Sequence, residues 1–253
     1  MREEEKTVVI HQPDFMPYLG FFDRLLHADT YVVLETAQYV NGTSRSWMNR
    51  DKIKTEKGEQ WITVCVKKAP RETPIKEILL LDDGKWQKNN LGLLHQNYRK
   101  AAYYKEIMPY VEKLYGEDYV YFWDFSFASI KMLLELFDIT VDIVFSSDLQ
   151  PQGKNNEMIV DIMNKLGAKT YLSGTGAADY YDPAVYEQAG IRVLWQDFRH
   201  PVYPQQFGTF IPYLSSIDLL FNCGIERSRK ILRGSSDESY ERLQEVRADI
   251  KDC

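Results

Sequence analysis

Four polar segments carry the residue types from which an active site could be assembled, and each follows a short apolar run typical of a buried strand. They begin at His11, Glu35, Ser173 and Gln196. In open α/β sheets, ligands bind at the carboxyl ends of the strands. We therefore expect the four segments to lie at one edge of a sheet and to supply the side chains of a binding cleft.

The first two segments offer titratable groups. In His11-Gln12-Pro13 the histidine can act as a base near neutral pH, and the amide both donates and accepts hydrogen bonds. The simpler interpretation is that His11 only bonds a neighbouring loop, but loop positions carry function more often than core positions, so we favour a functional role. In the second segment Glu35 would be a base, a group that orients a histidine, or a surface carboxylate, and the sequence does not separate these interpretations.

The third segment, Ser173-Gly174-Thr175-Gly176, places two glycines after a predicted strand. Glycines at such a position free backbone N–H groups to hold an anion. The segment lacks the lysine of a P-loop and the third glycine of a dinucleotide fingerprint. A tight turn is therefore an equally good interpretation.

The fourth segment runs from Gln196 to Gln205 and combines a carboxylate, a guanidinium, the imidazole of His200 and two amides. Pro201 and Pro204 stiffen it because proline fixes φ. An active site must hold its groups near productive geometry, and a purely structural loop rarely needs so many hydrogen-bonding groups. A functional role is favoured more strongly here than in the other three segments.

The start of the chain predicts a βαβ unit. Thr7 to Ile10 is a β-branched run, Pro13 ends strand pairing, and apolar residues from Tyr18 to His27 follow helical spacing before a second strand from Tyr31 to Leu34. Such units build parallel sheets. The predicted fold class is thus α/β, with a Rossmann-like, mostly parallel sheet flanked by helices and a helical insertion.

The rest of the chain continues this alternation within one predicted α/β domain over 1–253. The further predicted strands are 61–66, 141–145, 170–173 and 193–195, and the further predicted helices are 157–166, 186–190 and 214–221. A polar loop is predicted from Gln38 to Arg50. Residues 85–137 are predicted to form a helical insertion or subdomain with breaks near Ala102, Pro109 and Gly116, and residues 234–253 a charged C-terminal tail.

Composition excludes several classes of function. The net charge of −6 argues against a nucleic-acid partner, which requires a basic surface. Three scattered cysteines without a CxxC pair predict free thiols in a reducing compartment and no structural zinc. We expect a cytoplasmic protein outside the membrane, because the chain has neither a signal-peptide core nor an apolar run of the roughly 20 residues that a membrane helix needs.

The same segments resemble the WbqC-like protein family over nearly the whole chain and in the same order. The matching stretches are 10–13, 17–23, 47–50 (Trp47-Met48-Asn49-Arg50), 171–174, 196–198, 200–205 and 214–222. The chain departs from the family at Leu34-Glu35-Thr36-Ala37-Gln38, where one carboxylate replaces a pair of aspartates. This departure weakens any expectation of a metal or paired-carboxylate role for that loop.

The resemblance implies a place in surface-polysaccharide (O-antigen) or amino-sugar metabolism, as a transferase that acylates or aminoacylates the amine of an amino sugar or similar small amine. An acyl or nucleotide-linked donor is compatible with it, and no metal is expected. One alternative is an ATP-dependent ligase or nucleotidyl-transfer enzyme, although the His-x-Gly-His signature of such enzymes is missing from Pro17-Tyr18-Leu19-Gly20. The other is a non-enzymatic binder of a nucleotide-sugar or of a glycan-pathway partner.

For acyl transfer we expect His200 or His11 to accept the proton of the attacking amine, and Asp218 or Glu35 to orient the histidine. The Gly174 and Thr175 amides would hold an oxyanion or a phosphate. The predicted catalytic residues are His11, His200 and Asp218. The predicted substrate-binding residues are Gln12, Asp14, Tyr18, Glu35, Gln38, Trp47, Asn49, Arg50, Lys154, Ser173, Gly174, Thr175, Gln196, Arg199, Tyr203 and Gln205.

Overall fold

A computed structural model describes residues 6–40 and 47–249, with side-chain surroundings up to residue 234. The strands of these ranges are β1 (Thr7–His11), β2 (Thr30–Val33), β3 (Arg50–Thr55), β4 (Gly58–Thr63), β5 (Asp142–Phe145), β6 (Thr170–Ser173) and β7 (Arg192–Trp195). The helices are α1 (Leu19–Leu26), α2 (Lys85–Tyr98), α3 (Tyr104–Gly116), α4 (Phe122–Phe137), α5 (Ser146–Leu149), α6 (Asn156–Lys165), α7 (Pro183–Gln188) and α8 (Ile217–Asp249).

Five strands form a parallel sheet in the order β5-β2-β1-β6-β7. The strands β2 and β5 lie on one side of β1, and β6 and β7 lie on the other. The strand order therefore reverses between β1 and β6, which is the position where open α/β sheets bind their ligands. This arrangement confirms the predicted α/β, Rossmann-like fold.

Helices cover both faces of this sheet, and the side chains of each strand alternate between them. On β1, Val9 packs with α1, α4 and α8, whereas Val8 and Ile10 pack with α6 and α7. A strand that is buried on both faces needs a continuous apolar run, which is what the β-branched sequence of β1 supplies. The helices α2, α3 and α4, which form the predicted insertion, pack into the same apolar cluster as α1 and α8.

Two local features differ from what the sequence predicts. The strand β3 was not predicted: it begins at Arg50, where the predicted polar loop ends, and pairs antiparallel with β4 in a separate two-stranded sheet. Residues 41–46 of that loop lie outside the described residues. The predicted break at Pro109 does not occur, since Pro109 lies inside α3. Proline removes one backbone donor, and the carbonyl left without it belongs to Lys105, on an exposed part of the helix where water can bind it.

The helix α8 is broken at Gly224, which has φ 74° and ψ 172°. The predicted helix end at Asn222-Cys223-Gly224 corresponds to this break, after which helical backbone continues to Asp249 through most of the predicted charged tail. A side chain on Gly224 would place its Cβ 2.4 Å from the ring of Tyr103. Only glycine combines this backbone conformation with this close approach.

Gly224→Ala is therefore expected to lower the free energy of unfolding by at least about 2 kcal/mol, since it adds backbone strain to a clash with a packed ring. Gly234→Ala is the matched control in the same helix. Its Cβ would meet nothing within 4 Å, so alanine should stabilise the helix by up to about 1 kcal/mol. Urea denaturation of both variants measures the difference, and equal midpoints would show that Gly224 is not required.

In the ranges that the structure describes, no helix has the length and apolar character needed to cross a membrane.

Candidate functional site

A cleft with a volume of about 890 Å³ opens at the carboxyl ends of the parallel strands. Its wall contains residues that end or follow β1, β2, β6 and β7, together with the segment between α5 and α6. Residues that line it are Ile10, His11, Gln12, Leu34, Thr36, Ala37, Gln38, Lys76, Ser147, Gln150, Gln152, Lys154, Asn155, Asn156, Tyr171, Ser173, Tyr180, Tyr181, Tyr186 and Trp195. The cleft thus lies at the point where the strand order reverses.

The cleft opens there because β1 and β6 separate toward their carboxyl ends. Their paired register ends at Val8 and Tyr171. By contrast, β1 stays paired with β2 as far as His11, and β6 stays paired with β7 as far as Ser173. His11 and Ser173 thus end the two central strands on either side of a crevice, and both line the cleft.

His11 is a neutral base at the edge of this crevice. Its Nδ1 lies 2.9 Å from the carbonyl oxygen of Gln12, which can only accept, so Nδ1 carries the proton and Nε2 carries the lone pair. Burial, and secondly the positive charge of Arg24, lower the pKa of His11 to about 3. The imidazole is therefore uncharged at physiological pH and presents an acceptor nitrogen.

Asp14 lies beside His11, with its Oδ2 3.7 Å from the histidine Nδ1. Burial raises the pKa of Asp14 to about 7, although the charge of Arg24 opposes the shift. A carboxyl group with this pKa exchanges its proton near neutral pH, which suits acid–base chemistry. The pair combines a neutral imidazole with a carboxylate that would stabilise the imidazolium once His11 has taken up a proton.

The segment that carries this pair is held under backbone strain. Met16 has a positive φ of 43°, which is uncommon for a residue with a side chain. The hydroxyl of Ser129 accepts from the Met16 N–H at 3.0 Å, and the hydroxyl of Ser215 donates to the Met16 carbonyl at 2.7 Å. Both serines are fully buried. Strained backbone fixed from two sides is common where a site must be held in place.

A buried polar group joins α1 to Gln196, the residue that follows β7. Gln196 donates through Nε2 to the Gly20 carbonyl at 2.9 Å and to the carboxylate of Asp23, and its Oε1 accepts from Arg24 Nη1 at 3.3 Å. Arg24 is only 5% exposed. A Cβ on Gly174 would lie 2.1 Å from Arg24 Nη1, so the glycine is needed for the close approach of the guanidinium.

The walls of the cleft combine amides with aromatic rings. Six side-chain amides line its described part, from Gln12, Gln38, Gln150, Gln152, Asn155 and Asn156. The aromatic side is ordered by packing: the ring of Tyr181 meets that of Trp195 edge to face at 5.1 Å, and the Tyr186 hydroxyl donates to Asn156 Oδ1 at 3.1 Å. Three exposed charged residues also line the cleft, the cations Lys76 and Lys154 and the carboxylate Glu72.

Glu35 does not orient a histidine, contrary to one of the roles expected for it. Its carboxylate accepts from the Ser146 N–H at 3.1 Å, the Ser146 hydroxyl at 2.7 Å and the Ser147 N–H at 2.8 Å. These are the first residues of α5, whose free N–H groups require acceptors. Glu35 therefore fixes the wall of the cleft that contains Ser147.

Asp218 does not orient a histidine either. Its carboxylate is fully buried and accepts from the hydroxyls of Tyr98 at 2.7 Å and Tyr203 at 3.0 Å, and from Gln205 Nε2 at 2.9 Å. The Lys54 ammonium donates to Gln205 Oε1 at 3.0 Å. This network joins β3, α2, the segment after β7 and α8, so the predicted residues Asp218, Tyr203 and Gln205 meet each other and not the cleft.

His200 lies among aromatic rings outside the lining of the cleft. Its ring is 5.2 Å from that of Tyr213 and 5.7 Å from that of Phe198, and its Nδ1 is 2.9 Å from the Pro201 carbonyl. Burial lowers the pKa of His200. The sequence patterns did not predict that the imidazole of the segment from Gln196 to Gln205 lies outside the lining of the cleft.

The remaining predicted residues lie near the hairpin of β3 and β4 or in the segments that precede α1 and follow β6 and β7, and none of them lines the cleft. On the hairpin, the Asn49 amide donates to the Val64 carbonyl at 3.0 Å, Arg50 lies over the ring of Trp61 at 4.3 Å, and Trp47 packs against Trp61 at 4.9 Å. Tyr18 precedes α1 and contacts Phe198 at 5.9 Å. Thr175 begins a short 3₁₀ turn after Gly174, and Arg199 is exposed.

Of the predicted site residues, those that line the cleft are His11, Gln12, Gln38, Lys154 and Ser173. Sequence reasoning missed Arg24 and the aromatic wall formed by Tyr171, Tyr181 and Trp195. The sequence did indicate that Arg24 is buried, because apolar residues lie on nearly every side of α1 and leave little room for an exposed position. In the described part of the chain, no group of three or more His, Cys, Asp or Glu side chains is arranged to hold a metal ion.

Comparisons with known proteins agree with the resemblance to the WbqC-like protein family. The model of the WbqC-like protein family matches residues 12–230. An uncharacterized protein of Mycobacterium tuberculosis, Rv1507c, is 33% identical over 226 residues, which cover 87% of this chain and 95% of the relative. No solved structure matched the chain. The family match begins directly after β1, ends within α8 and includes most residues of the cleft lining, and the chain belongs to the WbqC-like protein family.

Proposed function

We propose that this protein is a transferase that moves an acyl or aminoacyl group to the amine of an amino sugar or a similar small amine. The observation that carries the proposal is a neutral imidazole, His11, at the reversal point of the sheet, with a carboxyl group beside it, in the lining of a large cleft that combines amides with aromatic rings. The resemblance to WbqC-like proteins suggests surface-polysaccharide or related biosynthesis as the setting.

The composition of the cleft wall supports a sugar as the acceptor. Amides donate and accept at once, as hydroxyl groups of a sugar require. Aromatic rings such as Tyr181 and Trp195 provide flat apolar surface for the C–H faces of a sugar ring. The volume of about 890 Å³ lies in the range of small-molecule sites and has room for a nucleotide-linked sugar.

In the proposed reaction the amine nitrogen attacks the carbonyl carbon of the acyl donor, a C–N bond forms, and the bond from carbon to the leaving group breaks. His11 accepts the amine proton at Nε2 and then returns it to the leaving group. The carboxylate of Asp14 stabilises the imidazolium in between. Backbone N–H groups of Gly174 and Thr175 are suited by their place beside the crevice to stabilise the oxyanion.

His11 is preferred to His200 as the base because only His11 lines the cleft. The sequence allowed either His11 or His200 as the base, and the proposal retains His11. The roles first expected for Arg50 and Arg199 are not retained, because Arg50 lies over the ring of Trp61 and Arg199 is exposed outside the cleft lining. Lys154 remains a candidate for holding a donor phosphate at the opening.

A product screen tests the proposal. The purified protein is incubated with nucleotide-linked amino sugars that carry a free amine, together with acyl-coenzyme A or activated aminoacyl donors, and products are followed by mass spectrometry. The expected result is a product whose mass equals that of the acceptor plus the acyl group. Adenylate formation with ATP and Mg²⁺ would favour the ligase alternative, and tight binding without any product would favour the binding module.

A further inference from the structure

One tyrosine of the cleft lining is open to solvent, whereas the aromatic residues beside it in the lining are packed. Tyr171 and Tyr186 are buried and stack on each other with ring centroids 6.2 Å apart. The ring of Tyr181 meets that of Trp195 edge to face at 5.1 Å. Tyr180 also lines the cleft but is 72% exposed. The cleft therefore carries an aromatic side chain that is available to a flat ligand group.

Asn156, at the start of α6, connects this tyrosine to other polar residues of the cleft. Its Nδ2 donates to the Tyr180 carbonyl at 2.8 Å, and its Oδ1 accepts from the Tyr186 hydroxyl at 3.1 Å. Asn156 lines the cleft, and so do the two residues that precede it, Lys154 and Asn155. The hydrogen bonds of one amide thus bring the exposed tyrosine to the segment that carries an ammonium and a further amide.

The backbone of Asn155 supports a role in binding. It has φ 51° and ψ −123°, the conformation of the first central residue of a type II′ turn, which glycine adopts most readily. Asparagine is a favoured N-cap residue, yet the Asn155 side chain does not cap α6, and among the described residues its amide has no hydrogen-bond partner. Strained residues of this kind cluster at ligand sites, so the amide is available to a ligand in the cleft.

From this juxtaposition we infer that Tyr180, Asn155 and Lys154 form a subsite for the nucleoside diphosphate part of a nucleotide-linked substrate. The Tyr180 ring stacks on the base, since every base presents an aromatic face. The Asn155 amide donates and accepts, as the hydrogen-bonding edge of a base requires, and the Lys154 ammonium pairs with the phosphates. A neutral sugar would leave the ammonium unused. The inference rests on the proposed function for the group that is transferred, but not for the binding of the nucleotide.

Calorimetry with UDP, GDP, CDP, dTDP and ADP tests the subsite without any knowledge of the reaction. Wild-type protein should bind at least one of these nucleoside diphosphates, and absence of binding to all of them would overturn the inference. In Tyr180→Ala the affinity for the bound nucleotide should fall roughly 5–100-fold, the loss expected for one stacked base. Tyr180→Phe keeps the ring and should restore the affinity.

Tyr121→Ala is the matched control, because Tyr121 is an exposed tyrosine outside the cleft lining, directly before α4. It should bind the nucleotide as wild type does. Both alanine variants should melt within a few degrees of wild type, since both side chains are exposed. An affinity that Tyr180→Ala leaves unchanged, or that falls equally in Tyr121→Ala, would overturn the inference.

A second probe distinguishes the base from the sugar. Tyr180→Ala should weaken the binding of the nucleotide much more than that of glucosamine 1-phosphate, which has a sugar and a phosphate but no base. An equal loss for both probes would place the sugar on the Tyr180 ring and overturn the inference.

Asn155→Gly separates binding from folding. Glycine relieves the strained backbone, so the melting temperature should stay the same or rise, whereas the affinity for the nucleotide should fall roughly 3–10-fold because the amide is lost. Asp138→Gly is its control, since Asp138 also has a positive φ, 56°, but follows α4 outside the cleft lining. It should leave the affinity unchanged. A less stable Asn155→Gly with unchanged affinity would show that the asparagine serves the fold and would remove it from the subsite.

The outcomes for the inference and for the proposed function are distinct. Nucleotide binding that depends on Tyr180, in a protein that transfers no acyl group, would keep the subsite and reject the transferase. Acyl transfer in which Tyr180→Ala leaves the KM of the nucleotide-linked substrate unchanged would keep the transferase and reject the subsite.

Discussion

His11→Gln is expected to lower kcat for acyl transfer by roughly 10²–10⁴-fold, the usual contribution of a positioned general base. Glutamine retains a hydrogen-bonding side chain of similar size but cannot take up the proton that the amine must lose. Steady-state kinetics with the acceptor and donor identified by the product screen measure the effect. KM should change much less than kcat, since the base acts mainly in the transition state.

His95→Gln is the control for this substitution, because His95 lies on α2 and bonds the Tyr104 hydroxyl outside the cleft. It should retain nearly normal turnover. His200→Gln discriminates between the two histidines that the sequence could not separate. A loss confined to His200→Gln, with His11→Gln close to wild type, would refute the assignment of the base.

The pH dependence follows from the neighbouring carboxyl group. The pKa of His11, lowered to about 3, leaves the imidazole neutral across the working range, so it does not limit the rate there. Asp14 stabilises the imidazolium only when ionised, and its pKa is raised to about 7. We therefore expect kcat/KM to rise with pH between about pH 6 and pH 8 and then to level off. In Asp14→Asn this rise should disappear and the plateau should be lower.

The sequence predicts the part of the site that depends on strand ends. Apolar runs such as that of β1 locate the strands, and in a parallel sheet the polar residues that follow, His11 and Ser173, must lie at the same edge. Pro13 marks where the strand stops. These are local signals, and they were sufficient for the fold class and for five residues of the cleft lining.

The remainder depends on contacts between distant segments, which no local pattern contains. The strand β3 has the sequence RDKIKT, in which charged residues interrupt the alternation of apolar and polar residues that identifies strands. Tyr98 and Asp218 are 120 residues apart, and their hydrogen bond exists only once α2 has packed against α8. The orientation of His200 is likewise set by the rings around it. Asp218 and His200 therefore looked catalytic by residue type, although the fold places both outside the cleft lining.

Asp218→Ala is expected to lower the free energy of unfolding by about 3–5 kcal/mol, the cost of breaking a buried, hydrogen-bonded charge network. The substitution leaves the Tyr98 and Tyr203 hydroxyls and the Gln205 amide without their acceptor. It also removes the carboxylate whose charge balances the buried ammonium of Lys54. Burial alone raises the pKa of Asp218, and the hydrogen bonds to Tyr98 and Tyr203 oppose the shift, so the network favours the ionised form.

Urea denaturation measures this cost, with Asp118→Ala as the matched control because Asp118 is exposed between α3 and α4. The control should stay within about 0.5 kcal/mol of wild type. Asp218→Asn keeps one acceptor oxygen but turns an amide donor toward groups that themselves donate, so its cost should lie between those of the other two variants. A normally stable Asp218→Ala that had lost turnover would instead make Asp218 part of the chemistry. Because the network joins β3, α2 and α8 and does not line the cleft, we expect Asp218→Ala to be less stable but to keep its kcat in the folded fraction.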